Sequence, residues 1–179
     1  MRTRNSARLL IINSLDQVLL FKFSHRHDAL AGKTYWATPG GEVEPRETFE
    51  QGAIRELKEE TGIYVDNVGA SLAEHTFEMT LPSGEVVVAR ERFFLVKIDN
   101  EDISTEGFTD NEKLVISHYR WWSFDELRKT SDIVYPTTIT DIIAQHNSPR
   151  IQVIGASYSQ DENKLIADQL TPKKTPRGE

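Results

Sequence analysis

The stretch 48–61 constrains the fold of this chain more than any other segment, because its apolar residues recur every four positions. Phe49, Ala53 and Leu57 would form one apolar stripe on a helix, and such a stripe packs against a core. Gly62 follows at the position where helices commonly end in the left-handed conformation. The segment therefore predicts a helix of about four turns that covers one face of the molecule's core.

The same helix would carry three carboxylates on one face. Glu56, Glu59 and Glu60 have the spacing i, i+3 and i+4, so their side chains are neighbours. They repel one another, and they lie toward the helix C-terminus, where the macrodipole disfavours negative charge. A divalent cation would remove that cost, and Mg²⁺ commonly binds one or two carboxylates together with substrate phosphates. A solvated face paired with neighbouring basic residues is the alternative that these three residues leave open.

Apolar runs separated by turn residues predict the rest of the fold. A hairpin is expected from residues 8–12 and 18–23, and 99–118 is expected to be mostly loop. The other expected elements are strands at 34–38, 74–81, 85–98 and 119–122 and helices that begin after Ser123 and at Thr138. This order indicates an α/β fold in which helices pack against a mixed sheet.

Composition narrows the class of protein. The chain has 179 residues, no cysteine and a formal charge of −7, which argues against a disulfide scaffold, a thiol nucleophile and a partner of duplex DNA. The longest wholly apolar run is 9–12, so no membrane span is expected, and a cytoplasmic location is the default. We expect one domain over 1–147 and a C-terminal extension over 148–179, with candidate elements at 151–154 and 162–170.

The stretch 41–63 resembles the Nudix box, whose pattern is Gly, five residues, Glu, seven residues, then Arg-Glu-apolar-any-Glu-Glu-any-Gly-apolar. Every fixed position is filled, by Gly41, Glu47, Arg55, Glu56, Leu57, Glu59, Glu60, Gly62 and Ile63. In the order of elements the resemblance covers residues 6–146. It implies a Nudix-type α/β/α sandwich with a mixed β-sheet and a MutT-like, metal-dependent hydrolase. Such an enzyme cleaves a diphosphate linkage in a nucleoside triphosphate or nucleoside diphosphate derivative.

The resemblance also assigns roles to residues. It implies Mg²⁺, with Mn²⁺ as a substitute, as the cofactor, and a proton acceptor among the ligand carboxylates. The implied metal ligands are Gly40 through its carbonyl oxygen, Glu56, Glu59, Glu60 and, from a later loop, Glu112. Glu112 is chosen over its neighbours Asp110 and Glu106. Arg55 and Glu47 resemble the pair that holds the box in shape, and catalysis is assigned to these two with Glu56 and Glu60.

Residues outside the box are candidates for the substrate, a small phosphorylated nucleotide. Arg26 and His27 lie in a cationic loop that would contact phosphates, with a solvated loop as the alternative. Trp36 is a candidate for stacking on the base. The charged run 90–92 interrupts an apolar strand, which favours an outward face or a sheet edge over a cleft. The oligomeric state is open, with a homodimer formed through an edge at 86–98 as one option.

Two other functions remain open at this point. Removal of a 5′ pyrophosphate from RNA would need a surface that follows a nucleic-acid backbone, and the acidic total with no clustered basic stripe disfavours it. A non-catalytic nucleotide-binding Nudix module is disfavoured by the three mutually repelling carboxylates, which binding alone does not require. Because function lies in the site, fold does not separate these hypotheses.

Overall fold

A mixed eight-stranded sheet forms the centre of the molecule, seen in a computed structural model that describes residues 1–147. The strands are β1 (Thr3–Ile12), β2 (Val18–Ser24), β3 (Thr34–Ala37), β4 (Gly40–Glu42), β5 (Ala73–Thr80), β6 (Val86–Lys97), β7 (Ile116–Trp122) and β8 (Val134–Tyr135). The helices are α1 (Phe49–Thr61), α2 (Asp110–Val115), α3 (Phe124–Lys129) and α4 (Ile139–Asn147). The expected C-terminal extension, with its candidate elements at 151–154 and 162–170, lies outside the described residues.

The strand pairing opens a space beside β1. The sheet order is β5-β6-β1-β2-β3-β8, with β4 paired to β1 and β7 to β2. β1 and β6 are parallel, as are β3 and β8, and the other pairs are antiparallel. The predicted hairpin of β1 and β2 is confirmed, but the two strands are in register only at Ile12 and Val18. Residues 6–8 of β1 pair instead with β4, so the two halves of the sheet diverge around a cleft.

Helices cover both faces of the sheet, which confirms the predicted α/β/α sandwich. On one face the stripe of Phe49, Ala53 and Leu57 packs against the odd-numbered residues of β1 from 7 to 11. On the other face α4 covers Leu10, Leu20 and their neighbours. Each of these core clusters takes alternate residues of β1, because successive side chains of a strand point to opposite faces.

The structure adds to the expected elements in two places and corrects one expectation. The segment 99–118 is mostly loop, as expected, but it ends in α2 and the first residues of β7; α2 buries none of its side chains and so lacks an amphipathic signal. The short strands β4 and β8 were not expected, since a few residues with glycine or proline nearby carry little strand pattern. β6 lies between β5 and β1, so the segment 86–98 offers no free edge for a dimer. Among residues 1–147, no helix is long and apolar enough to cross a membrane.

Candidate active site

Capping residues set the ends of α1, and a glycine sets the position of the neighbouring strand β4. Thr48 caps the helix in a capping box with Gln51. Gly62 ends it with a φ of 75°, which confirms the predicted left-handed end. At β4, a Cβ on Gly40 would lie 2.1 Å from the carbonyl oxygen of Ala7, so only glycine fits there. Gly40 therefore lets β4 lie directly against β1, and the next residue, Gly41, meets Glu56 of the helix at close range.

That approach buries two of the box carboxylates. Glu56 is 9% and Glu60 is 4% exposed. The backbone N–H of Gly40 donates to Glu60 Oε2 at 2.7 Å. A Cβ on Gly41 would lie 2.5 Å from Glu56 Oε1. The glycine pair thus forms one wall of the carboxylate site, and the exposed Glu59 lies on its solvent side.

Arg55 holds the box together. Its Nε and Nη2 donate to the two oxygens of Glu47, each at 2.9 Å, and Nη2 also donates to the carbonyl of Glu42 at 2.9 Å. Its Nη1 contacts Glu56 Oε1 at 3.0 Å and Glu59 Oε2 at 3.2 Å. Hydrogen bonding to Arg55 holds the pKa of Glu47 below its usual range. One guanidinium therefore links the loop before α1 to two carboxylates of the helix.

A carboxyl pair lies next to this arrangement. Glu112, at the first turn of α2, is hydrogen-bonded to Glu60. Burial, reinforced by that hydrogen bond, raises the pKa of Glu60 well above its ordinary value, and burial also raises the pKa of Glu56. For Glu112, burial acts upward, but hydrogen bonds from Glu60 and Thr109 bring its pKa below the usual range. Without a metal, Glu60 therefore holds the proton that the pair shares.

The raised pKa of Glu60 predicts how the free energy of unfolding of the metal-free protein depends on pH. A carboxyl with a raised pKa in the folded state stabilises the fold below its ordinary value of 4.5, and that contribution is lost as pH rises through the raised pKa. In EDTA, the free energy of unfolding of the wild type should therefore fall relative to Glu60→Gln as pH rises above 4.5. Urea unfolding of both proteins at several pH values measures the difference. A difference that is independent of pH would contradict the shared proton.

The donor set suits a hard divalent cation. Glu56, Glu60 and Glu112 supply carboxylate oxygens, which Mg²⁺ prefers, and a cation would replace the proton between two converging carboxyls. Within residues 1–147, no three acidic or histidine side chains already stand in a complete ligand arrangement. Glu59 is turned toward Arg55, to which its Oε2 is paired at 3.2 Å, and its side chain is half-exposed. The residues thus fit a metal whose binding would reorganise Glu59 and displace a proton.

The sequence candidates for the substrate divide into two groups. A cleft of about 1050 Å³ lies beside the carboxylates, and Arg26 and His27 are among its lining residues. Trp36 does not reach it, which corrects the stacking assignment. Its ring is 4% exposed in the core on the α4 side, and its Nε1 donates to Asp132 at 3.1 Å. As expected, the adjacent Trp121 and Trp122 contact opposite core clusters.

The aromatic residues that do line the cleft were missed. Tyr35 precedes Trp36 on β3 and faces the cleft, where it stacks on Phe23 with ring centroids 5.2 Å apart. Its hydroxyl is 2.8 Å from His25 Nε2, and His25 Nδ1 is 2.7 Å from Asp28. Strand alternation showed that Tyr35 and Trp36 point in opposite directions, but it did not show which of them meets the cleft.

The loop before α2 positions Glu112 by docking on α1. The N–H of Ser104 donates to the carbonyl of Thr61 at 2.9 Å. Gly107 lies so close to the helix that a Cβ there would be 2.2 Å from the carbonyl oxygen of Glu59. We therefore expect Gly107→Ala to displace Glu112 and to weaken Mn²⁺ binding by about 10- to 100-fold. Calorimetric titration should show the same loss in Glu112→Gln and no further loss in the double variant. Additive losses would contradict a role that acts through Glu112.

Comparison with known proteins gives one consistent family. The NUDIX domain model matches residues 2–141. Phosphatase NudJ of Shigella boydii serotype 4 is 29% identical over 138 residues, which cover 75% of this chain and 82% of that protein. An RNA pyrophosphohydrolase of Sphingopyxis alaskensis is 27% identical over 110 residues, which cover 56% of this chain and 66% of that relative, just under two thirds of its length.

Solved structures agree on the fold. The MutT protein of Methanosarcina mazei Go1 superposes with a TM-score of 0.60 at 24% identity, covering 82% of this chain and 94% of that one. At this identity the likeness concerns architecture and says nothing of the substrate.

Proposed function

This chain belongs to the NUDIX hydrolase family, and on that premise we propose that it is a metal-dependent nucleotide pyrophosphohydrolase. The family acts on nucleotide pyrophosphate bonds. The proposed substrate is a small nucleoside triphosphate or a nucleoside diphosphate linked to another group. The products are a nucleoside monophosphate and a second phosphorylated product.

The observation that carries this proposal is the convergence of Glu56, Glu60 and Glu112 at the wall of a large cleft. Two buried carboxyls with raised pKa values, Glu56 and Glu60, are costly for a fold to maintain. A non-catalytic module would gain nothing from that cost. A site that binds a cation and transfers a proton requires such an arrangement.

The site residues have different proposed roles in metal binding, positioning and phosphate contact. Glu56, Glu59, Glu60 and Glu112, together with the Gly40 carbonyl, are the proposed ligands of Mg²⁺ or Mn²⁺, which supplies neutralisation of the diphosphate and activation of water. Arg55 and Glu47 hold the carboxylates in place. Arg26 and His27, which also line the cleft, are proposed to contact the phosphates. A carboxylate of this cluster accepts the proton of the attacking water.

A product assay over a substrate panel tests this function. The panel contains the standard and oxidised nucleoside triphosphates, ADP-ribose, nucleotide sugars and dinucleoside polyphosphates, each with Mg²⁺, Mn²⁺ or EDTA. We expect a nucleoside monophosphate to appear only with metal, with pyrophosphate as the partner product from triphosphates. Nucleotide binding without turnover on the whole panel would favour the binding module instead.

The similarity to an RNA pyrophosphohydrolase supports a second candidate, removal of pyrophosphate from an RNA 5′ end. The net charge of −7 disfavours it, because a nucleic-acid backbone requires basic contacts. A triphosphorylated RNA oligonucleotide compared with free triphosphates decides between them. Faster turnover of the RNA would make it the substrate.

A further inference from the structure

A small side pocket adjoins the cleft and differs from it in chemistry. It has a volume of about 160 Å³ and aromatic walls that include Phe23, Tyr35 and Phe77. Phe23 and Tyr35 also line the main cleft, so the two spaces are continuous. The hydroxyl of Tyr35 is bound to His25, so the tyrosine presents mainly its ring to the pocket. The side pocket therefore offers a planar, apolar group a place next to the diphosphate site.

One acidic side chain of β6 points into this apolar space. Arg90 and Arg92 lie on the other face of the strand, over the ring of Phe49 and paired with Glu74. Glu91 instead lines the side pocket, so the charged run 90–92 serves both faces. The expectation of an outward face or a sheet edge thus fails for Glu91. Its side chain is 15% exposed, and it takes no part in the ion pairs that Arg90 and Arg92 form with Glu74.

Two arginines, Arg4 and Arg8, line the side pocket together with Glu91, and the charge of Arg4 interacts with that of Glu91. In the described part of the chain the ion-pair partner of Glu91 is Arg8, whose Nε lies 4.0 Å away, and both side chains are only 15% exposed. That distance is too long for a hydrogen bond. Arg8 donates instead to the hydroxyl and carbonyl oxygens of Thr38. The Glu91 carboxylate therefore has acceptor oxygens that a ligand in the side pocket can use.

We propose that the side pocket binds the base of the nucleotide and that Glu91 selects guanine. This inference rests on the proposed function. A carboxylate only accepts hydrogen bonds, and guanine presents two adjacent donors, N1–H and the 2-amino group, on one edge. The other standard bases present a single donor position on the corresponding edge. Arg8, a donor with five N–H groups, complements the neighbouring O6 acceptor of guanine.

Binding of GMP and IMP to the full chain in EDTA tests this proposal. The two ligands differ only in the 2-amino group, and omission of metal separates base recognition from hydrolysis. Calorimetry should show GMP binding about tenfold tighter than IMP to the wild type, the discrimination expected of a bidentate contact. Glu91→Gln should remove this preference. Glu78→Gln, the same change on an exposed residue of the neighbouring strand β5, should keep it.

Two results would overturn the proposal. One is equal affinity of the wild type for GMP and IMP, including failure to bind either, and this result does not depend on any variant folding. The other is a preference that survives in Glu91→Gln. Because these titrations contain no metal, hydrolysis of a substrate without base preference would refute only the guanine assignment. Guanine preference without turnover would refute only the proposed hydrolysis.

Discussion

Glu60→Gln is expected to reduce metal-dependent turnover by about a thousandfold, because it removes a buried carboxylate ligand that contributes several kcal/mol to the transition state. The fold should remain intact. Glutamine has the shape of a protonated glutamic acid, the form that burial favours at Glu60 by raising its pKa. Thermal unfolding in EDTA and initial rates with Mg²⁺ and Mn²⁺ measure the two effects separately.

Glu50→Gln is the matched control for this prediction. It removes the same charge from the same helix, but Glu50 is exposed in the first turn, away from the carboxylate site. Its turnover should equal that of the wild type. Retained turnover in Glu60→Gln would remove Glu60 from the ligand set, whereas an equal loss in both variants would indicate a general effect of charge.

Arg55→Ala is expected to lower both stability and activity. The change removes the Arg55 donors from both oxygens of Glu47, of which Oε1 keeps the N–H of Glu44, and it removes the positive charge beside Glu56. Loss of hydrogen bonds to charged groups predicts a fall of about 2–3 kcal/mol in the free energy of unfolding. Turnover should fall by about 100-fold as the carboxylates lose their positions. Urea unfolding and steady-state kinetics provide the measurements.

Arg55→Lys separates the contribution of the bidentate hydrogen bonds of Arg55 from that of its positive charge. Lysine keeps the positive charge but cannot reproduce the bidentate contact with Glu47, so we expect an intermediate stability. A cycle with Glu47→Gln should show strong coupling, since the two side chains share two hydrogen bonds of 2.9 Å. An Arg55→Ala protein as stable as the wild type would show that this contact does not hold the box together.

The sequence predicted α1 well because every local signal agrees there. The apolar stripe, the cap at Thr48 and the left-handed Gly62 all specify one helix with fixed ends. Once the helix is specified, its periodicity places Glu56, Glu59 and Glu60 on one face without any knowledge of the rest of the fold. The positions of the three box carboxylates on the helix were therefore predictable from the local sequence alone.

Features that depend on distant contacts were not predictable in the same way. β4 exists because residues 40–42 pair with β1, and that pairing has no side-chain signature. Glu112 meets Glu60 only because the loop before α2 docks through Gly107 against α1. Trp36 was chosen for its chemistry, yet the register of β2 with β3 turned Tyr35 to the cleft. In each case, contacts between segments that are distant in sequence decided which of several candidate residues reaches the site.

The location of the bound metal shows whether the carboxylate face of α1 is the active site. Crystals grown with Mn²⁺ and a non-hydrolysable nucleotide would give anomalous scattering from the ion alone. We expect an anomalous peak between the carboxylates of Glu56 and Glu60, beside the backbone of Gly40. This peak should be absent in Glu60→Gln. An ion bound only elsewhere, or a peak unchanged in Glu60→Gln, would contradict the assignment of this carboxylate face as the active site.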